Sequence, residues 1–283
     1  MAMTRVGGID TRYEVLGNGP PLLMFSPGGF DATAEKWSSQ SVYAKSKMLE
    51  ALAQHHTCIV FDRRETGQSG GRVQSVTWAD YAAQGLGLLD HLDIERAFVM
   101  GGCMGCAPAV SLAVSDPQRV RALVLYWPVG GARYRLNGQG RFIQHLAFVQ
   151  QHGMADVVAL ARSGTKSFGE DPRGGPWGAR LRRDEAFAAA FAAMDVERYR
   201  LTVTGMMRAL MDRDTAPGAE PEAMLQLDVP ALVVPGRDAS HATSAARYLE
   251  ECLPRAEYWD APPEAQTADT VGPRLIDFLA RCP

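Results

Sequence analysis

Two small constellations in this chain have the residue types and spacing for covalent chemistry. The first is Arg96-Ala-Phe-Val-Met-Gly-Gly-Cys-Met-Gly-Cys106, an apolar run, a glycine-rich turn and then a small-residue helix. Cys103 sits between Gly101 and Gly105, two residues to each side. Bulky side chains there would collide with the neighbouring strand and helix, so the glycines allow a sharp turn. The helix that follows points free N–H groups and its positive dipole end at the thiol. That setting lowers a thiol pKa and raises its thiolate fraction. The second constellation is Asp238 and His241, in the loop after the apolar run Ala231–Pro235. A carboxylate and an imidazole this close can act as an orienting acid and its base, and a cysteine needs such help less than a serine does. Cys103 and Cys106 also form a Cys-x-x-Cys at a helix N-terminus after a strand, the arrangement of a thiol–disulfide redox couple. The plain alternative for either thiol is a small buried hydrophobe.

These residues need a scaffold that places two loops together. Short apolar runs at Arg12–Val15, Pro21–Phe25, Thr57–Phe61, Arg96–Met100, Val120–Tyr126, Ala231–Pro235 and Glu257–Trp259 read as strands. Helical patterns at Lys45–Gln54, Trp78–Leu92, Cys106–Ser115, Ala245–Leu253 and Pro273–Ala280 alternate with them. Runs apolar on both faces, alternating with helices, predict an α/β fold with a mostly parallel sheet and helices on both faces. The stretch 129–225 breaks the alternation and reads as helical throughout, at Phe142–His152, Ala155–Ser163, Arg183–Ala193 and Arg198–Asp212. The expected division is therefore a core of residues 1–128 and 226–283 with an inserted helical cap, 129–225. The cap should lie over the carboxyl edge, where open α/β sheets bind ligands.

Gly101-Gly102-Cys103-Met104-Gly105 fits the G-x-S-x-G nucleophile elbow with cysteine in place of serine. Pro20-Pro21-Leu22-Leu23-Met24-Phe25-Ser26-Pro27-Gly28-Gly29-Phe30 looks like a third strand with its oxyanion loop. Asp62-Arg63-Arg64-Glu65-Thr66-Gly67-Gln68-Ser69 looks like a D-x-R-G-x-G-x-S turn, with Glu65 where glycine is usual. Val229-Pro230-Ala231-Leu232-Val233-Val234-Pro235-Gly236-Arg237-Asp238 looks like the strand that delivers a catalytic acid. In this order the four segments resemble the α/β-hydrolase family. The resemblance implies Cys103 as nucleophile, Asp238 as acid, and an oxyanion hole from the N–H of Met104 with that of Gly29 or Phe30.

The family's base follows the final strand in a Gly-His turn. Here that stretch, Trp259-Asp260-Ala261-Pro262-Pro263-Glu264-Ala265-Gln266, contains no histidine. Among the six histidines, His55, His56 and His91 read as structural or solvated. His241 is the first candidate to replace the base, oriented by Asp238 or else by Glu65 or Asp260. His145 and His152, seven apart on one face of a cap helix, come next. Arg133, Arg135 and Arg141 follow the sixth strand and are candidates to hold a substrate carboxylate. Trp127 and His145 are further candidates for substrate contacts.

Composition bounds the rest. With 283 residues, a formal charge of −3 and 46% apolar residues, the chain is an ordinary globular protein. The acidic balance argues against nucleic-acid and anionic-membrane binding. There is no run of eighteen apolar residues and no signal-peptide pattern. Five cysteines, sparse and odd in number, suggest a reduced, cytoplasmic setting. Neither metal-ligand spacing nor a dinucleotide motif occurs, so no cofactor is expected. The expected partner is a small-molecule substrate, and a homodimer is compatible with the chain. The expected function is hydrolysis of a small ester, lactone or related carbonyl compound through an acyl-thioenzyme. The alternatives are a non-catalytic ligand-binding protein lacking a complete triad and a redox protein using Cys103 and Cys106.

Overall fold

The apolar runs become the centre of one sheet. The computed structural model describes residues 1–282. Among them, eight strands, β1 (Ala2–Val6), β2 (Ile9–Leu16), β3 (Pro21–Phe25), β4 (Thr57–Phe61), β5 (Ala97–Gly102), β6 (Val120–Tyr126), β7 (Ala231–Val234) and β8 (Ala256–Tyr258), pair in the order β1-β2-β4-β3-β5-β6-β7-β8. From β4 to β8 every pairing is parallel, and β1 and β2 run antiparallel at one edge. β5 and β7 are buried at every residue, as helices on both faces require. β1 lies outside the strands read from the sequence. It pairs with β2 through a two-residue turn, Gly7 and Gly8, whose φ of 55° and 75° suit a tight hairpin.

Twelve α-helices complete the fold among the described residues. α1 (Lys36–Ser39), α2 (Ser41–Ser46), α3 (Met48–Leu52), α4 (Trp78–His91) and α5 (Cys106–Ser115) precede β6. α6 (Ala132–Arg162), α7 (Gly178–Arg183), α8 (Glu185–Ala192), α9 (Val196–Leu210) and α10 (Pro221–Met224) lie between β6 and β7. α11 (Thr243–Cys252) and α12 (Ala268–Ala280) follow. Between β6 and β7 no strand occurs among the described residues. The two helices read over 142–163 join as α6, 31 residues long and broken at Gly153 (φ 80°, ψ 176°). The helix read over 183–193 is α8, with Arg183 closing the separate α7 before it. Asp184 leaves the helical conformation and its carboxylate accepts the N–H of Phe187 at 2.9 Å, capping α8.

Candidate active site

The turn from β5 to α5 holds Cys103 in the left-handed region, φ 54°. That conformation is costly for a residue with a side chain and aims the thiol out of the turn. Both glycines prove necessary. A Cβ on Gly105 would stand 2.2 Å from the carbonyl oxygen of Phe25, and one on Gly101 would stand 2.4 Å from that of Gly105. No side chain fits either gap.

The candidate acid and base, Asp238 and His241, arrive on one loop. After β7, the Asp238 carboxylate accepts the backbone N–H groups of Ser240 (2.8 Å) and His241 (3.0 Å). It also accepts the imidazole Nδ1–H of His241 at 2.8 Å. The loop is pinned from the side, since the Gly130 N–H donates to Ser240 O at 3.0 Å and Gly130 bridges His241. The opposite ring nitrogen, Nε2, is buried without a fully formed hydrogen bond, and the Cys103 thiol stands beside it. Catalytic contacts often tighten only around a substrate.

The electrostatics fit an ion pair. Burial pushes the Cys103 thiol up, but hydrogen bonding and charge from His241, then the backbone N–H groups of Met104 and Gly28, bring it below the ordinary cysteine value. Burial disfavours a charged His241, yet Cys103 and then Asp238 outweigh it and raise the imidazole to about 9. Asp238, resisted by burial, is lowered mainly by His241. Thiolate and imidazolium are therefore the mutually favoured states.

This centre opens on a cavity of about 250 Å³, whose wall includes Cys103, Met104, His241, Gly29, Tyr134 and Arg141. A larger cavity of about 390 Å³ lies at the opposite, amino edge of β6 and β7, beside Arg96, Arg121 and Arg255, and has no nucleophile in its wall.

Residues 21–133 match the family described as alpha/beta hydrolase fold. The chain has the α/β-hydrolase fold. The chain is similar to the dihydrolipoyllysine-residue acetyltransferase component of an acetoin cleaving system from Cupriavidus necator, with 34% identity over 125 residues, 44% of this chain and 31% of that protein. It is similar to a 2-hydroxymuconate semialdehyde hydrolase from Pseudomonas sp. strain CF600, with 32% identity over 44% of this chain and 41% of that one. The matched part thus spans less than half the length of these curated relatives. The crystal structure of an enol-lactonase from Burkholderia xenovorans LB400 superposes with a TM-score of 0.63 over 99% of this chain and 100% of its own, at 22% identity.

The segments that distinguish the α/β-hydrolase pattern buttress the site. Asp62, buried, accepts from Arg12 Nη1 (3.0 Å) and from the backbone N–H groups of Ala34 (2.9 Å) and Gln68 (2.8 Å). Arg63 donates through Nη2 to the Gly29 carbonyl, fixing the loop that carries Gly28 to Phe30, and its guanidinium lies over Tyr81 at 4.3 Å. Glu65 has φ 70°, which explains why glycine is usual there. Buried against Arg64 at 2.7 Å, it is pushed up by burial to about 7. Glu65 therefore serves Arg64 and not His241. Asp260 likewise pairs with Arg237 at 2.8 Å, so of the three candidate acids only Asp238 meets the imidazole.

Several expectations change. Gly28, not singled out in the sequence, presents its N–H to the thiol beside Met104, while Gly29 and Phe30 line the cavity. The signal was the run Pro27-Gly28-Gly29, and φ of 114° at Gly28 explains its glycine. His145 is fully buried away from the cavity wall, donating to Arg173 O (3.0 Å) and accepting from Tyr199 Oη (2.6 Å). Burial lowers it to about 4, so it is a neutral core group. His152 is exposed and stacks on Phe148. Arg133 is exposed and Arg135 pairs with Asp214 at 2.9 Å. Neither lines the cavity, whereas Arg141 does. Trp127 lies behind the site: its ring stands 5.4 Å from that of His241 and its Nε1 donates to Gln266 at 2.7 Å. Cys106 turns into the core, donating to Gly101 O at 3.1 Å, and burial pushes it well above the ordinary value.

Where the family pattern would place a histidine, the loop after β8 supplies Gln266, fully buried. Its amide oxygen accepts Tyr126 Oη (2.5 Å) and Trp127 Nε1 (2.7 Å), and its NH2 donates to Pro235 O (3.1 Å) and Ala261 O (2.8 Å).

Proposed function

We propose that this protein is a cysteine hydrolase of small ester, lactone or related carbonyl compounds, with Cys103 as nucleophile, His241 as proton carrier and Asp238 as its orienting acid. The observation that carries the reading is the thiol of Cys103, held at positive φ beside an imidazole that is itself held by Asp238. The name of the hydrolase relative supports a carbonyl substrate. The Cys103 thiolate attacks the carbonyl carbon. The new oxyanion takes the N–H groups of Met104 and of the Gly28 loop, and losing one such donor costs about 10²- to 10³-fold in rate. Collapse expels the leaving group, which takes the proton from His241 Nε2. Neutral His241 then removes a proton from water, hydroxide attacks the thioester, and the acid product leaves with Cys103 restored as thiolate and His241 as imidazolium. The helices between β6 and β7 act as a cap that excludes water from the cavity.

The test is turnover of 4-nitrophenyl esters and lactones, with mass spectrometry of the quenched protein. An acyl adduct on Cys103, and no turnover by Cys103→Ala, are expected. Full activity in Cys103→Ala refutes the reading. The Cys103–Cys106 redox alternative has no comparable support, because Cys106 faces backbone carbonyls inside the core.

A further inference from the structure

The wall of the cavity carries a second polar feature that the chemistry at Cys103 does not use. Tyr134 and Arg141 stand seven residues apart on α6 and both line it. The Tyr134 hydroxyl is buried and has no hydrogen-bond partner, although the residue is only 8% exposed. Arg141 is half-buried and makes no salt bridge among the described residues. Buried hydroxyls and guanidinium groups are normally paired, so each awaits an acceptor.

The balance of charge around the wall selects the acceptor. Asp31, the acid among these lining residues, is already engaged by Lys36 Nζ at 3.0 Å. The Cys103 thiolate, the His241 imidazolium and the Asp238 carboxylate together leave one negative charge, which the guanidinium groups of Arg63 and Arg141 outnumber. Arg63, 2% exposed, keeps Nε and Nη1 without partners and acts, like Arg141, on the Tyr134 hydroxyl through its charge. Gln40, also on the wall, holds its amide oxygen buried without a partner, and a half-turn of the amide exchanges that oxygen for the NH2 donor. The cavity therefore keeps an uncompensated positive charge. Its 250 Å³ equals about eight waters of liquid volume, so the ligand is small.

We propose that the substrate carries a carboxylate in addition to its reacting carbonyl, and that the Arg141 guanidinium and the Tyr134 hydroxyl bind it. This rests on the hydrolase reading for the reacting end alone. The experiment compares 4-nitrophenyl hemiglutarate with its methyl ester, and separately asks whether glutarate or dimethyl glutarate slows alkylation of Cys103 by iodoacetamide. A hydrogen-bonded charge pair predicts a preference for the carboxylate in kcat/KM of about ten- to a hundredfold. That ratio should fall toward one in Arg141→Met and be partly kept in Arg141→Lys. Tyr134→Phe should lower it as well. Glutarate should protect Cys103 in the parent protein and not in Arg141→Met, and dimethyl glutarate should not protect. A ratio of one in the parent, or a ratio unchanged in Arg141→Met, overturns the proposal even where neutral esters are turned over. If neither ester reacts, protection by glutarate that Arg141→Met abolishes still supports the carboxylate site while the hydrolase reading fails. Absence of protection then overturns the site too.

Discussion

Replacing Gln266 by methionine keeps its length and removes all four of its hydrogen bonds. In the folded protein those bonds satisfy two donors, Tyr126 Oη–H and Trp127 Nε1–H, and two carbonyls, of Pro235 and Ala261. All surround a side chain with no exposure to solvent. A buried donor left unsatisfied costs about 1–3 kcal/mol. The carbonyls, with two lone pairs each, suffer less. The expected loss is about 3–5 kcal/mol, a large share of the 5–15 kcal/mol typical of a folded domain. Urea titration should show it as a lower midpoint with little change in slope. The damage should also reach the thiol. Trp127, at φ 53°, packs beside His241, and freeing its indole loosens the imidazole that lowers Cys103. The pH midpoint for alkylation of Cys103 should rise in Gln266→Met. A variant within about 1 kcal/mol of the parent, with an unshifted alkylation profile, would refute the strut role assigned to Gln266.

Three further outcomes are expected. Alkylation of Cys103 should extend below the ordinary cysteine range, whereas ester turnover should fall as pH rises through about 9, where His241 loses the proton it gives to the leaving group; a flat profile from 7 to 11 contradicts this. Asp238→Asn removes a charge-assisted bond worth about 1.5–3 kcal/mol, so the alkaline limb should move down by roughly one to two pH units, read from the same profile. Gly105→Ala drives a methyl to 2.2 Å from the Phe25 carbonyl and should cost more than about 4 kcal/mol, seen as a collapse of Tm or loss of soluble protein; an unchanged Tm would show that the elbow is looser than its geometry implies.

The elbow, the β7 loop and the parallel pairing of the inner strands were legible because each has a local cause. Gly101 and Gly105 announce a backbone that admits no Cβ, and continuous apolar runs announce strands covered on both faces. The proximity of His241 to Asp238 was legible for the same reason, being three residues along one turn. What stayed hidden depends on helix phase and tertiary depth. On α6, the buried stripe runs through Tyr134, Gly138, Phe142, His145 and Val149. Arg141 borders that stripe, while Arg133 leaves it for solvent, a distinction that needs the exact rotation of the helix. His145 follows the stripe past the cavity into the core, where burial makes it neutral. Gln266 offered no signal at all, since a buried amide declares itself only through four partners drawn from distant segments. The antiparallel edge formed by β1 leaves little sequence signal, because Ala2–Val6 alternates exposed with partly buried residues and so lacks an apolar run.

The short Asp238–His241 turn makes the proposed acid and base a self-contained cassette. When such partners come from two separate loops, both loops and the helices behind them must keep register for the pair to meet. Here the backbone N–H groups of Ser240 and His241 fold the segment onto its own carboxylate, so the pair's mutual geometry is written in local sequence. In the proposed mechanism the stretch from β8 to α12 is thereby released from aligning a reacting group and braces the site through Gln266. The segment Pro235-Gly236-Arg237-Asp238-Ala239-Ser240-His241 is accordingly a unit that could be transplanted whole into a related sheet whose own histidine has been removed.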